Sequence, residues 1–380
     1  MPHTLHEDAT ARLCGHVLTP TGWIRGHVQL HDGRVLAIDG EPVDEASARA
    51  DTTRPLLLPG FIDLHVHGGG GADVMDAGDA AATLARLHAR HGTTALLATT
   101  MTAPMVDITA ALRALAPLCR QRGAGAARVL GVHLEGPFIS AQRLGAQPAF
   151  ASSLSLEAMD LLMPLAPIRV ITLAPEAGQT LALIPALVAR GIRVQLGHSD
   201  ASYEQACAAL EAGACGFTHL FNAMSALHHR APGLVGAALA HAQYAEMIPD
   251  LLHVHPGALR IALRAVPRLY AVSDATAAAG MPDGQYRLGR HTVTRCSQAV
   301  RLPDGTLAGS VLTMDQALRN LVEIGLSVAE ASARCSTHAA HYLGEPHRGR
   351  LQPGAWADVV ALDPSTLAVQ GVWTEGEALA

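Results

Sequence analysis

Apolar and polar positions along this chain fall into two textures. Between residues 11 and 58, short alternations such as His27-Val28-Gln29-Leu30 and Val35-Leu36-Ala37-Ile38 flank the turn His31-Asp32-Gly33-Arg34. Asp-Gly between alternating apolar runs predicts a β-hairpin. The carboxyl end repeats the texture in residues 349–351, 354–362 and 369–373. The two ends are therefore expected to pair into one small β-sandwich domain, residues 1–58 plus 345–380.

The middle of the chain reads differently. Unbroken apolar runs predict buried strands at 56–65, 94–100, 129–134, 169–173, 193–197, 216–219, 247–254 and 269–273. Helical spacing fills the gaps at 80–91, 105–122, 155–165, 180–190, 202–212 and 257–266. Eight strands alternating with helices predict an α/β fold, a (β/α)8 barrel over residues 59–344. Pro249 inside the seventh run cannot donate to a ladder. A hairpin over 286–300 and two closing helices, 314–324 and 328–343, are expected after the barrel.

Composition narrows the function classes. At 380 residues and 49% hydrophobic content the chain can bury a large core. A net charge of −6 with dispersed arginines offers no basic face for nucleic acid. The six cysteines lack CxxC spacing, which points to a reducing compartment and no structural zinc knuckle. No signal-peptide core and no run of about 18 apolar residues is present, so a cytoplasmic protein with no membrane partner is expected. All 27 basic residues are arginine. A lysine can therefore neither form a Schiff base nor bridge two metals.

Candidate chemistry gathers at strand ends. The stretch GVHLEGPFIS (131–140) leaves Glu135 where a buried strand meets its loop. A carboxylate there is costly unless a cation waits for it. The first strand ends Asp63-Leu64-His65-Val66-His67, and residues i and i+2 share one side of a strand. His198, His219 and Asp274 end later strands, and in a barrel all of these face one mouth. Histidines with carboxylates suit a hydrolytic divalent metal with an open position for water. Among 21 histidines most are ordinary polar residues, and His3, His6, His16, His27 and His31 are read that way. Recurrence at five strand ends is what marks the others.

These residues carry a resemblance. PGFIDLHVHG (59–68), HLEGPFIS (133–140), LGHSDA (196–201), THLFNAMSALHHRAPGL (218–234), SDATAAAG (273–280) and LAGSVLTMDQALRNLV (307–322) resemble the N-acetylglucosamine-6-phosphate deacetylases of the amidohydrolase superfamily. The likeness covers nearly the whole chain. It implies metal-dependent release of acetate from a phosphorylated N-acetylhexosamine. It also implies one or two zinc or ferrous ions per subunit, and a homodimer.

Carried over residue by residue, Glu135, His198 and His219 match the primary metal ligands, His65 and His67 a second-metal pair, and Asp274 the catalytic acid/base. Ala146, Gln147, Asn222, Ala223, Arg230, His253, Leu307, Ala308 and Gly309 match substrate-binding positions. A guanidinium such as Arg230 can grip a phosphate bidentately. The chain departs from the family at Leu144 and Gln147, where lysine and histidine are usual, at Leu251 for glycine and at Ala231 for glutamate. The alternatives are a deacetylase for N-acetylgalactosamine 6-phosphate or a related N-acyl amino sugar, and a non-catalytic sugar-phosphate-binding protein.

Overall fold

A computed structural model describes residues 11–379. His3 and His6 lie outside the described residues. The middle of the chain forms a curled parallel sheet. Six strands hydrogen-bond in the order Phe61–Val66, Thr93–Thr99, Arg128–Glu135, Ile168–Leu173, Arg193–Leu196 and Gly216–Phe217. Tyr244–Met247 and Arg268–Ala271 add a second parallel pair. Backbone bonds draw the pieces together. Leu220 N donates to Glu246 O at 3.0 Å, and Asp274 N to His65 O at 2.9 Å. Asp63 fastens the same seam, its Oδ1 accepting from Ser273 N at 3.1 Å and His65 N at 3.2 Å. Burial pushes the Asp63 carboxyl up to about 7. Helices cover the outer face, so these strands are buried on both sides.

Several boundaries moved. The run 56–65 breaks at Gly60, and Leu56–Pro59 leaves the parallel sheet for the terminal one. The seventh strand lies upstream of its expected place, at Tyr244–Met247. Pro249 sits in the loop that follows, where no donor is needed. The final helix splits into Val328–Cys335 and Thr337–Leu343. Helix Gly233–His241 was hidden, because it is apolar nearly all round and presents no stripe. The expected hairpin is a four-stranded antiparallel sheet: Gly284–Leu288, His291–Cys296, Ala299–Arg301 and Leu307–Ser310.

The chain ends do pair. Seven strands share one continuous ladder, from Glu377–Ala378 through Val369–Thr374, Val359–Leu362, Leu56–Pro59, Ala11–Thr19 and Gly22–His31 to Arg34–Val43. Hydrogen bonding joins them as one sheet, which holds a small core of Val17, Val28, Leu30, Val35, Leu57, Leu351 and Val359. The Asp-Gly turn is as expected. Asp32 and Gly33 have φ of 48° and 73°, the mirror-image turn that suits twisted strands. An ion network ties this sheet to the parallel one: Glu375 accepts from Arg128 Nη2 at 2.6 Å and from Arg122 Nε at 3.3 Å, and also holds Arg348.

Candidate metal centre

Strand ends bring the expected ligands to one point. Glu135 closes the strand Arg128–Glu135, and the chain must leave at once to keep its carboxylate inward. Gly136 makes that possible: its φ is +76°, and a Cβ there would lie 2.0 Å from Thr102 Oγ1. His198, His219 and Asp274 also sit at positive φ, 47°, 27° and 50°. Such conformations cost energy for residues with side chains and cluster where function demands an aim.

Glu135 stands at the centre with one histidine pair on each oxygen. Its Oε1 lies 3.2 Å from His198 Nε2 and 3.1 Å from His219 Nε2, and those two nitrogens are 3.1 Å apart. Its Oε2 lies 3.4 Å from His65 Nε2 and 3.2 Å from His67 Nε2, which are themselves 3.1 Å apart. Asp274 Oδ1 completes the second group, 3.2 Å from His67 and 3.5 Å from His65. All six side chains are buried or nearly so.

This donor set fits a divalent metal. Ligands about 2.1 Å from a tetrahedral ion stand about 3.4 Å apart, close to the spacings seen in both groups. The tautomers agree. His198 Nδ1 is 2.9 Å from Arg143 O and His65 Nδ1 is 2.9 Å from Glu246 Oε2. Each ring thus donates outward and turns a lone pair on Nε2 toward Glu135. Two ring nitrogens 3.1 Å apart cannot both be donors to each other, and a cation between ring and carboxylate resolves the conflict. The charges show the same demand. Burial pushes Glu135 and Asp274 up, but the surrounding histidines outweigh it, holding Glu135 far below its usual range and Asp274 at about 2. Burial pulls His67 down, and its bonds to Asp274 and Glu135 lift it to about 9.

A third group, His65 with His133 and Glu246, is support rather than a site. Both nitrogens of His133 are engaged, with Leu64 O at 3.0 Å and Thr172 Oγ1 at 2.7 Å. Glu246 orients His65 and also accepts from His219 N at 3.1 Å. Glu246 stands one residue before the end of the seventh strand, Tyr244–Met247, just upstream of the apolar run 247–254.

A cavity of about 240 Å³ opens over the cluster. Ala146, Gln147, Asn222, Ala223, His253, Leu307 and Gly309 line it, as expected, and Met101, Gly145, Leu288 and Thr306 join them. Ala308 is fully buried and lies behind the lining. Arg230 is exposed on the turn after Leu227, with Nη1 2.7 Å from His229 Nε2, and does not line the cavity. His253 is held by Asp250, whose Oδ2 lies 2.6 Å from Nδ1 and whose Oδ1 accepts from the amides of Leu252 and His253. Burial pulls His253 down, but Asp250 wins and raises it. The Asp-x-Leu-His spacing, with a side chain bonding amides two and three residues on, was the signal for Asp250.

The amidohydrolase family pattern matches residues 56–379. The chain belongs to the amidohydrolase family. It is similar to the N-acetylgalactosamine-6-phosphate deacetylase of Escherichia coli O157:H7, 44% identical over 370 residues, 95% of this chain and 97% of that one. It is also similar to the N-acetylglucosamine-6-phosphate deacetylase of Vibrio furnissii, 42% identical over 84% of this chain and 82% of the relative. Among solved structures, a mutant N-acetyl-D-glucosamine-6-phosphate deacetylase of Mycobacterium smegmatis in complex with N-acetyl-D-glucosamine-6-phosphate superposes with a TM-score of 0.89 at 33% identity, over 98% of this chain and all of that one. The Thermotoga maritima N-acetylglucosamine-6-phosphate deacetylase also gives 0.89, at 30% identity over 97% of this chain and 99% of that one.

Proposed function

We propose that this amidohydrolase removes the N-acetyl group of N-acetylglucosamine 6-phosphate, releasing acetate and glucosamine 6-phosphate, in amino-sugar catabolism. One observation carries the reading: Asp274 faces the same cavity as the Glu135–His198–His219 group and His253, whose Nδ1 is held by Asp250. The substrates named for the relatives in Vibrio furnissii and Mycobacterium smegmatis support it.

In this reading Glu135, His198 and His219 hold one ion, zinc or ferrous iron, and His65 and His67 hold a second. When bound, the metal acidifies water and polarises the amide carbonyl. Asp274 accepts the proton of the attacking water, which requires it ionised at neutral pH, the ordinary state of a carboxylate beside cationic charge. The same carboxyl then protonates the departing amine. His253 meets the phosphate beside Asn222 and Ala223, while Ala146, Gln147, Leu307 and Gly309 shape the sugar and acetyl end, with Ala308 behind them. Arg230 can serve the phosphate only if its turn folds over the mouth, or if it reaches the cavity of a second subunit in a homodimer. The proposal includes that homodimer, a cytoplasmic setting, a closed (β/α)8 barrel at 59–344 and a β-sandwich domain at 1–58 plus 345–380.

An acetate-release screen tests it. Metal-loaded protein should hydrolyse N-acetylglucosamine 6-phosphate, lose most kcat/KM on the unphosphorylated sugar, and stop when chelated. Acetate from no phosphorylated hexosamine would overturn the reading and leave a non-catalytic sugar-phosphate binder, which an intact Asp274 disfavours. A second reading, N-acetylgalactosamine 6-phosphate, is favoured by the relative at 44% identity, and the same screen separates the C4 epimers.

A further inference from the structure

Gln147 replaces a ring nitrogen with an amide, and the structure shows what that amide does. Thr102 N donates to Gln147 Oε1 at 2.7 Å. A backbone N–H can face only the carbonyl oxygen of the side-chain amide, so the orientation of the group is fixed. Its Nε2 must then point the other way, and it donates to Glu135 Oε2 at 2.6 Å. Gln147 is buried, and it cannot gain or lose a proton. The bond falls on one carboxylate oxygen alone. Oε1 faces only the His198–His219 pair. Oε2 already carries an amide donor where it faces His65 and His67.

We infer that Gln147 is a positioning residue that makes the two halves of the metal centre unequal. Braced from Thr102, it fixes the Glu135 carboxylate so that Oε1 is presented whole to the ion at His198 and His219. The hydrogen bond withdraws charge from Oε2 and occupies one of its lone pairs. An ion at His65, His67 and Asp274 therefore binds a poorer carboxylate. The chain fills the His198 side first and the His65 side only at higher metal concentration. The inference rests on reading the cluster as a metal centre. It concerns binding, and its test does not depend on turnover.

The test is equilibrium dialysis of the metal-stripped full chain against zinc, with bound metal counted by plasma mass spectrometry. The wild type should show one tightly held ion, with a second held at least about tenfold more weakly. Gln147→Met keeps the volume and removes both bonds. Partners that orient ligands are worth roughly 10–100-fold in affinity. The ratio of the two dissociation constants should therefore narrow by about tenfold or more. Gln147→Glu places a second carboxylate against Oε2, and the second ion should bind more tightly than in either other form. Circular dichroism reports whether each variant folds. If the wild type fills both positions together, or Gln147→Met folds and leaves the ratio unchanged, the assignment of Gln147 is wrong. If the wild type takes up no zinc, the metal-centre reading itself fails. The wild-type titration decides between these even if a variant does not fold.

Discussion

Asp250 Oδ2 lies 2.6 Å from His253 Nδ1, and its other oxygen accepts from the two amides that carry His253 into the cavity. One short side chain thus fixes the position and favours the protonated form of the only histidine, among the described residues, that lines the cavity and is not a proposed metal ligand. The groups acting on His253 are Asp250 and Asp274, which favour its proton, and Arg301, which opposes it.

Because the pKa of His253 is raised, the imidazolium persists above the usual histidine range and is lost only as pH rises through the shifted value. The KM for the phosphorylated sugar should climb only at a pH above that at which an ordinary histidine loses its proton. Asp250→Asn removes the charge while retaining the amide contacts. It should raise KM at neutral pH by roughly tenfold, in line with one charge-assisted bond, and move the climb to lower pH. KM–pH profiles of both proteins check this. A parallel profile with an unmoved midpoint would make Asp250 merely structural.

Asp274→Asn should keep the fold and the ion at Glu135, His198 and His219, yet lose kcat by about 10²–10⁴-fold, the usual worth of general acid–base catalysis. Metal content with single-turnover acetate release checks it. A variant retaining more than about a tenth of the activity would move the proton transfer to another group.

Much of this site was legible because its residues stand at strand ends, and strand ends follow from apolar runs. His65, His67, Glu135, His198, His219 and Asp274 all stand where such runs end. What stayed hidden depends on contacts between distant segments. Glu246 escapes that signal because the apolar run 247–254 begins where the strand Tyr244–Met247 ends. Gln147 could be noticed as a departure, but its bond to Thr102 joins loops 45 residues apart. The terminal strands were legible as alternation, whereas their merger into one seven-stranded ladder required Leu56–Pro59 to change sheets. Arg230 has the right chemistry for phosphate, and sequence alone cannot say that its turn stands outside the cavity.

Glu375 makes the terminal sheet acid-sensitive. Burial pushes its carboxyl up, but Arg128 and Arg348 dominate and hold it at about 2. Its contribution is present above the usual glutamate pKa of 4.5 and lost as pH falls from there toward 2. Glu375→Gln should cost on the order of 2 kcal/mol at neutral pH and flatten the acid limb. Denaturant unfolding at pH 7 and across pH 5–3 measures both. Equal acid limbs in the two proteins would assign the sensitivity to other carboxylates.

Arg230 tests how the phosphate is met. Its guanidinium touches His229 Nε2 at 2.7 Å and pairs with no carboxylate among the described residues. The cation is therefore available to an anion arriving at the mouth. Among the described residues no arginine lines the cavity, so His253 there offers a dianion one positive charge at most. If Arg230 supplies the second, Arg230→Ala should lower kcat/KM on the phosphorylated sugar by roughly tenfold to a hundredfold, since charge-assisted bonds contribute about 1.5–3 kcal/mol each. Activity on the unphosphorylated sugar should barely change, and the loss should shrink at high salt, because an exposed charge is screened. The measurement is kcat/KM for both sugars at two ionic strengths, with the oligomeric state followed by light scattering. A loss that tracks subunit dissociation places Arg230 across a subunit boundary, whereas a loss in an unchanged assembly places the contact in the bound complex. Equal losses on both sugars would show that Arg230 does not read the phosphate.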